Sequence, residues 1–207
     1  MKKCVIFCAG DFEELLRPIG ADELVIAADG GYRHTQEIGL RPDIILGDFD
    51  SLGEVPAGAE VFPVEKDDTD SMLAIKRGLA EGCDRFWLYG AMDGKWVDHT
   101  VANFQALSYL ADRGARGWLI GKRQIATVIK NDTIVFPPSC IQRLSIFCMG
   151  PDAKGVTIRG AKYELENATL SAGFPLGVGN QFVQKKTTVS VEDGKLLLIW
   201  PRKNGIW

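Results

Sequence analysis

Gly47-Asp48-Phe49-Asp50-Ser51 sets two carboxylates two residues apart, directly after the apolar run 44–46. Carboxylates that close repel each other unless one takes a proton or a cation lies between them. Mg2+ is such a cation, held by a few carboxylates together with phosphate oxygens and water. Three other acidic clusters stand where an apolar run ends or a helical pattern begins. Asp29-Gly30-Gly31 follows the run 24–27. Its glycines let backbone approach a ligand, and Asp29 is either a ligand group or the cap of a helix starting near Tyr32. Lys66-Asp67-Asp68-Thr69-Asp70-Ser71 opens a segment of helical spacing. Acids gain from the dipole at a helix start, which accounts for one or two of these three. Lys66 beside them can reach a phosphate as a point charge. Finally, Gly90-Ala91-Met92-Asp93-Gly94-Lys95-Trp96-Val97-Asp98-His99 leads to Asn103. His99 and Asn103, four apart, share a helix face. Taken alone, His99 reads as a structural histidine, and Asp98 is either a functional acid or an N-cap.

Other chemistries are poorly supplied. There is no GxxxxGK[ST] and no GxGxxG after the first apolar run, so a nucleotide is held in some other way. With two histidines and no CxxC pair, zinc lacks ligands. The net charge of -3, without a basic stripe, excludes a nucleic-acid partner. An acidic cleft would repel a phosphate substrate unless a cation intervened. Five cysteines, mostly in apolar runs, fit reduced buried thiols and a cytoplasmic protein. The apolar run at 4–8 is too short for a signal peptide and meets Asp11 and Glu13. No run approaches the roughly 18 apolar residues of a membrane span.

The elements that must position these acids follow from periodicity. Short apolar runs at 5–7, 24–27, 44–46, 85–89 and 117–120 are separated by helical spacings, Met72/Ile75/Leu79 and Val101/Phe104/Leu107/Ala111. Strands alternating with helices imply a mostly parallel sheet. Ligands bind such sheets beyond the carboxyl ends of the strands, where the acids lie. Beyond residue 125 the pattern changes to short β-rich runs at 125–129, 133–136, 144–148, 156–158, 183–184, 187–191 and 196–200, with Asp193-Gly194 as a hairpin signal between the last two. The fold expected is α/β: an N-terminal, mostly parallel α/β sheet domain over residues 1–124, followed by a C-terminal all-β sandwich over 125–207.

Together the four clusters resemble the thiamine pyrophosphokinase family. The resemblance covers nearly the whole chain and rests on order: Asp-Gly-Gly after the second strand, GDFDS after the third, DDTD before a helix, then Asp98-His99 and Asn103. A C-terminal signature also appears in Gly155-Val156-Thr157-Ile158-Arg159-Gly160, Tyr163, Leu165, Gly173 and Gly177-Val178-Gly179-Asn180. Two departures stand out. Trp96 occupies the place of the arginine in the family's Gly-Gly-Arg-x-Asp-His run, with Lys95 adjacent. Gly177 and Gly179 replace the serines of its Ser-x-Ser-Asn turn, which in the family lines the thiamine pocket across a dimer interface.

The resemblance implies transfer of pyrophosphate from ATP to the hydroxyl of thiamine, giving thiamine diphosphate and AMP. Asp48, Asp50 and Asp70 would bind Mg2+. Asp29 or Asp98 would accept or hydrogen-bond the alcohol proton, Asp98 alternatively meeting the aminopyrimidine. Ser51, Lys66, Thr69 and Asn103 would contact nucleotide or phosphate, and Asn180 thiamine. A C2 homodimer is implied by a site shared between subunits. Two alternatives are weighed against this. One is a metal-dependent phosphatase of the haloacid-dehalogenase type with Asp48 as nucleophile, although that family puts its DxD after the first strand. The other is a non-catalytic nucleotide- or vitamin-binding protein.

Overall fold

The computed structural model describes residues 1–50 and 52–204. Its contacts divide the chain into two units: Met1–Ala106 with Gly114–Lys122, and Leu107–Arg113 with the chain from Arg123 on.

In the first unit, consecutive rather than alternate residues are buried along the strands, as in a sheet covered on both faces. The strands are β1 (Lys2–Phe7), β2 (Leu24–Ala28), β3 (Ile44–Gly47), β4 (Glu60–Val61), β5 (Cys83–Tyr89) and β6 (Arg116–Ile120), in spatial order β6-β5-β1-β2-β3-β4. Every pairing among them is parallel. The chain runs outward from β1 to β4, then returns to place β5 on the other side of β1. That reversal makes the β1/β5 boundary a topological switch point, where such sheets open a crevice.

Helix α1 (Gly31–Glu37) follows β2, α2 (Asp70–Ala80) precedes β5, and α3 (Val97–Asp112) joins β5 to β6. Both longer helices lie where the apolar spacing predicts them, but their buried faces are turned. In α2 the buried residues are Ala74, Ile75 and Gly78, while Met72 and Leu79 are half-buried. The small residues decide this. A Cβ on Gly78 would stand 2.6 Å from the Phe86 ring, so glycine is what lets the helix lie against the sheet. In α3, Asn103, Ala106, Leu107 and Leu110 are buried and Val101 is exposed.

The second unit is antiparallel. Its strands are β7 (Gln124–Lys130), β8 (Thr133–Phe136), β9 (Arg143–Cys148), β10 (Ala153–Arg159), β11 (Leu165–Leu170), β12 (Asn180–Gln181), β13 (Thr187–Ser190) and β14 (Lys195–Pro201). One group runs β12-β9-β14-β7 and the other β11-β10-β13-β8. The Phe136 ring of β8 meets the Trp200 ring of β14 edge-on, at 5.3 Å.

Two expectations fail here. Asp193-Gly194 does not make a hairpin, because β13 pairs with β8 and β10 while β14 pairs with β7 and β9. The chain changes sheets at that point. Gly194 (φ 118°) packs so close to Ala153 that a Cβ would lie 2.9 Å from its Cα. Residues 183–184 form no strand; the pairing falls earlier, at Asn180–Gln181. Among the described residues no helix is long and apolar enough to cross a membrane. All five cysteines are free, and Cys4, Cys8, Cys83 and Cys140 are buried.

Candidate functional site

Two acidic loops meet because their backbones pack directly on one another. Asp29 leaves β2 with φ 48°, and its N–H donates to the Leu46 carbonyl at 2.8 Å. Gly47 (φ 149°) lies against it, and a Cβ there would stand 3.0 Å from the Asp29 Cα. Phe49, buried and at φ 61°, anchors the turn between Asp48 and Asp50. Left-handed conformations in non-glycine residues cost energy and cluster at functional sites. The Asp50 N–H donates to Asp48 Oδ1 at 3.4 Å. One carboxylate oxygen from each of Asp29, Asp48 and Asp50 lies within 4.8 Å of the others. Three hard oxygen donors so gathered suit a divalent cation of the Mg2+ kind better than a thiolate-seeking metal.

Lys66 joins this group to α2. Its Nζ lies 2.5 Å from Asp48 Oδ2 and 3.2 Å from Asp70 Oδ1. The hydrogen bond from Lys66 holds the Asp48 carboxyl below its usual value, against the opposing effect of burial. Burial pushes Asp70 up, and the charges of Asp48 and Asp29 add to it, together outweighing Lys66. Burial also works against the Lys66 ammonium, but its hydrogen bonds to Asp48 and Asp70 prevail and its pKa is raised.

The group borders a cleft of about 470 Å³ at the carboxyl ends of β1, β2 and β5, with Asp29, Lys66, Asp70, Lys95, Trp96 and His99 on its wall. The loop after β5 is braced from several sides. The Gly10 N–H donates to the Gly90 carbonyl at 2.9 Å and the Asp11 N–H to the Asp93 carbonyl at 2.6 Å. The Asp93 carboxylate accepts the Lys122 N–H. Thr100 Oγ1 donates to Met92 O at 2.8 Å and Asn103 Nδ2 to Ala91 O at 2.7 Å. Cys8 also lines the cleft, but burial pushes its thiol up to about 12, which removes it as a nucleophile near neutral pH.

Two family models match this chain: "Thiamin pyrophosphokinase, catalytic domain" over residues 17–119 and "Thiamin pyrophosphokinase, vitamin B1 binding domain" over residues 132–196. The chain belongs to the thiamine pyrophosphokinase family. The thiamine pyrophosphokinase of Bacillus subtilis (strain 168) is 28% identical over 193 residues, covering 85% of this chain and 86% of that one. A crystal structure of thiamine pyrophosphokinase from Bacillus subtilis shares the fold with a TM-score of 0.86 at 24% identity, over 97% of this chain and 99% of that one. A thiamin pyrophosphokinase from Geobacillus thermodenitrificans superposes with a TM-score of 0.77 at 26% identity, over 97% of both chains.

In this member of the thiamine pyrophosphokinase family the expected site residues are distributed as follows. Asp29, Asp48 and Asp50 form the tight carboxylate group, and Asp70 is linked to it through Lys66. Asp29 does not cap α1; Gly30 holds that position, with no side-chain cap. Thr69 caps α2, its Oγ1 accepting the Met72 N–H at 3.3 Å. Asn103 is a brace: its Oδ1 accepts from Ser71 Oγ at 2.8 Å while its Nδ2 holds Ala91. Asp98 lies in the first turn of α3, exposed, accepting its neighbour's N–H at 2.9 Å, and is absent from the cleft wall. His99 is the reverse of the structural histidine expected, exposed and on that wall. Asn180, in the second unit, is 4% exposed and its amide is engaged with the Tyr163 backbone, at 3.0 Å to N and 2.7 Å to O. Ser51 lies outside the described residues. Sequence reasoning passed over Ser71 and Asp93, whose roles depend on partners 32 and 29 residues away.

Proposed function

We propose that this chain transfers the pyrophosphoryl group of ATP to the hydroxyl of thiamine, releasing AMP, with Mg2+ held by Asp29, Asp48 and Asp50. The observation that carries this reading is the convergence of those three carboxylates beside Lys66, at the switch-point cleft of a thiamine pyrophosphokinase family member. Bound there, Mg2+ would neutralise the phosphate chain and let an acidic cleft accept a polyanion. Pyrophosphoryl transfer asks the protein mostly for positioning and charge balance. Lys66, drawn by substrate from Asp48 and Asp70, would place its ammonium on the phosphate oxygens. Asp70 lines the cleft, and burial with neighbouring negative charge makes its carboxylate more basic. It is better placed than Asp98 to take the alcohol proton as the new O–P bond forms at the β-phosphorus. Thr69 and Asn103 hold the helix start and the loop that frame the nucleotide.

The second unit, read as a β-sandwich from residue 125 on, would serve thiamine. The Phe136–Trp200 contact between its two strand groups supports that packing. Asn180 would act there by fixing the Tyr163 backbone. Tyr163, Phe174, Leu176 and Val178 are exposed apolar residues of this unit, which supports a homodimer that covers them. Four buried free thiols support a cytoplasmic setting.

The test is to mix the protein with ATP, Mg2+ and thiamine and follow the products by chromatography. AMP and thiamine diphosphate should appear in equal amounts and vanish with EDTA. Nucleotide that binds without forming AMP would leave a binding protein, and a trapped aspartyl-phosphate would point to the phosphatase chemistry instead.

A further inference from the structure

The loop after β5 carries an indole that the fold leaves in the open. Trp87, Trp118 and Trp200 are buried, whereas Trp96 is 60% exposed and lies on the wall of the cleft. The loop that carries it is braced on both sides. The preceding residues are tied to Gly10, Asp11 and Lys122, and the following turn of α3 is tied back through Thr100 and Asn103. An exposed aromatic at a cleft wall, carried on a loop braced on both sides, is a surface on which a flat ring can stack. Lys95 Nζ lies 5.0 Å from the centroid of this ring.

We propose that Trp96 is the platform on which the base of the donor nucleotide stacks, with Lys95 meeting its phosphate chain. The local charge chooses between the two flat groups that the reaction brings in. An ammonium already occupies the field of the Trp96 ring, so a cationic thiazolium would be set against like charge there. A neutral purine attached to a polyanion gains from both residues, stacking on the indole and pairing with the ammonium. Val64, also exposed and on the same wall, adds apolar surface. Trp96 is thus a specificity-determining residue for the nucleotide. The inference rests on ATP being the donor.

The experiment separates base from phosphate. Binding of ATP and of inorganic tripolyphosphate, each with Mg2+ and without thiamine, is measured by calorimetry for the wild type, Trp96→Ala, Trp96→Phe and Lys95→Ala. Trp96→Ala should weaken ATP about tenfold, a stacking-scale loss, and leave tripolyphosphate as in the wild type. Trp96→Phe should recover most of the ATP affinity, and Lys95→Ala should weaken both ligands. Unchanged ATP affinity in Trp96→Ala overturns the platform, as does a loss shared equally by tripolyphosphate. AMP formation, assayed separately, keeps the two readings apart. A wild type that makes thiamine diphosphate while Trp96→Ala binds ATP normally overturns the platform alone. One that binds ATP through Trp96 without turnover overturns the transferase reading alone.

Discussion

The two ends of β2 carry buried acids under opposite arrangements. Glu23, just before the strand, has a side chain only 1% exposed, and two cations close on it: Arg17 at 2.8 Å and Lys3 at 3.1 Å. Burial alone would raise its carboxyl, but the hydrogen bonds from Arg17 and Lys3 prevail and it is held below the usual value. Arg17 in turn lies 4.1 Å from the Trp87 ring, which stacks on Trp118 at 5.0 Å. At the far end Asp29 joins Asp48 and Asp50 within 4.8 Å, and the neighbouring Asp70 is pushed up. One end has its charge balanced by its own side chains. The other crowds Asp29, Asp48, Asp50 and Asp70 around Lys66, an arrangement that a bound cation would complete. A buried carboxylate is therefore not a sign of function in itself; what separates the two is that two cations share one carboxylate at Glu23, whereas several carboxylates gather on Lys66 at the other end.

The sharpest way to break this comparison is Asp48→Asn. Turnover per folded molecule should fall about a thousandfold, the scale of losing a key charge in a catalytic site, far beyond the fall in thermal midpoint from breaking the Lys66 pair. A folded variant with near-wild-type turnover would remove the functional half of the contrast. The matching change at the other end, Glu23→Gln, should lower stability by about 3 kcal/mol, because two cations lose their buried partner. Denaturant unfolding measures it, and turnover per folded molecule should persist. The acid side of the stability profile sharpens this further. The folded carboxyl of Glu23 lies below its ordinary 4.5, so its contribution is complete above that pH and is lost as pH falls through the folded value. Glu23→Gln should abolish that slope.

Added Mg2+ tests the acidic end itself. At a hundred times its dissociation constant it should stabilise the wild type by about 2.7 kcal/mol, read as a rise in thermal midpoint, and Asp29→Asn should lose the effect. The smallest effect is expected from Thr69→Ala, which removes the α2 cap at the acidic end. It should cost about 1 kcal/mol of stability, with Thr69→Ser close to wild type. A larger loss of turnover than of stability in Thr69→Ala would move its hydroxyl from capping to ligand contact.

Asp48 and Asp50 were legible because their juxtaposition is local, two residues apart behind an apolar strand. Their third neighbour was not. The resemblance implied Asp70, but the oxygens within 4.8 Å come from Asp29, Asp48 and Asp50. That grouping depends on β2 pairing with β3 and on the missing side chain of Gly47, while Lys66 stands between Asp48 and Asp70. The α/β beginning and the β-rich second half were visible in the period of the apolar residues. Helix faces were less so, because Gly78 and Ala74 make contact by being small rather than by being hydrophobic. Strands β4 and β11 escaped notice for a related reason: they are short or polar and largely exposed, and nothing in Glu60–Val61 or Leu165–Leu170 alternates cleanly. Asp193-Gly194 misled because a turn signal specifies a change of direction and says nothing about which sheet the next strand will enter.

That change of sheet bears on the order in which the molecule can be made. β14 lies between β9 and β7, and so pairs with strands that leave the ribosome some fifty to seventy residues earlier. Until Pro201 emerges, β7 and β9 each offer an unfilled edge of hydrogen-bonding groups, the kind of edge that recruits a neighbouring chain. The strands of the first unit are complete by Ile120. During synthesis, therefore, the half that carries the acids can close first, and exposure to aggregation falls on the half whose central strand is delivered last.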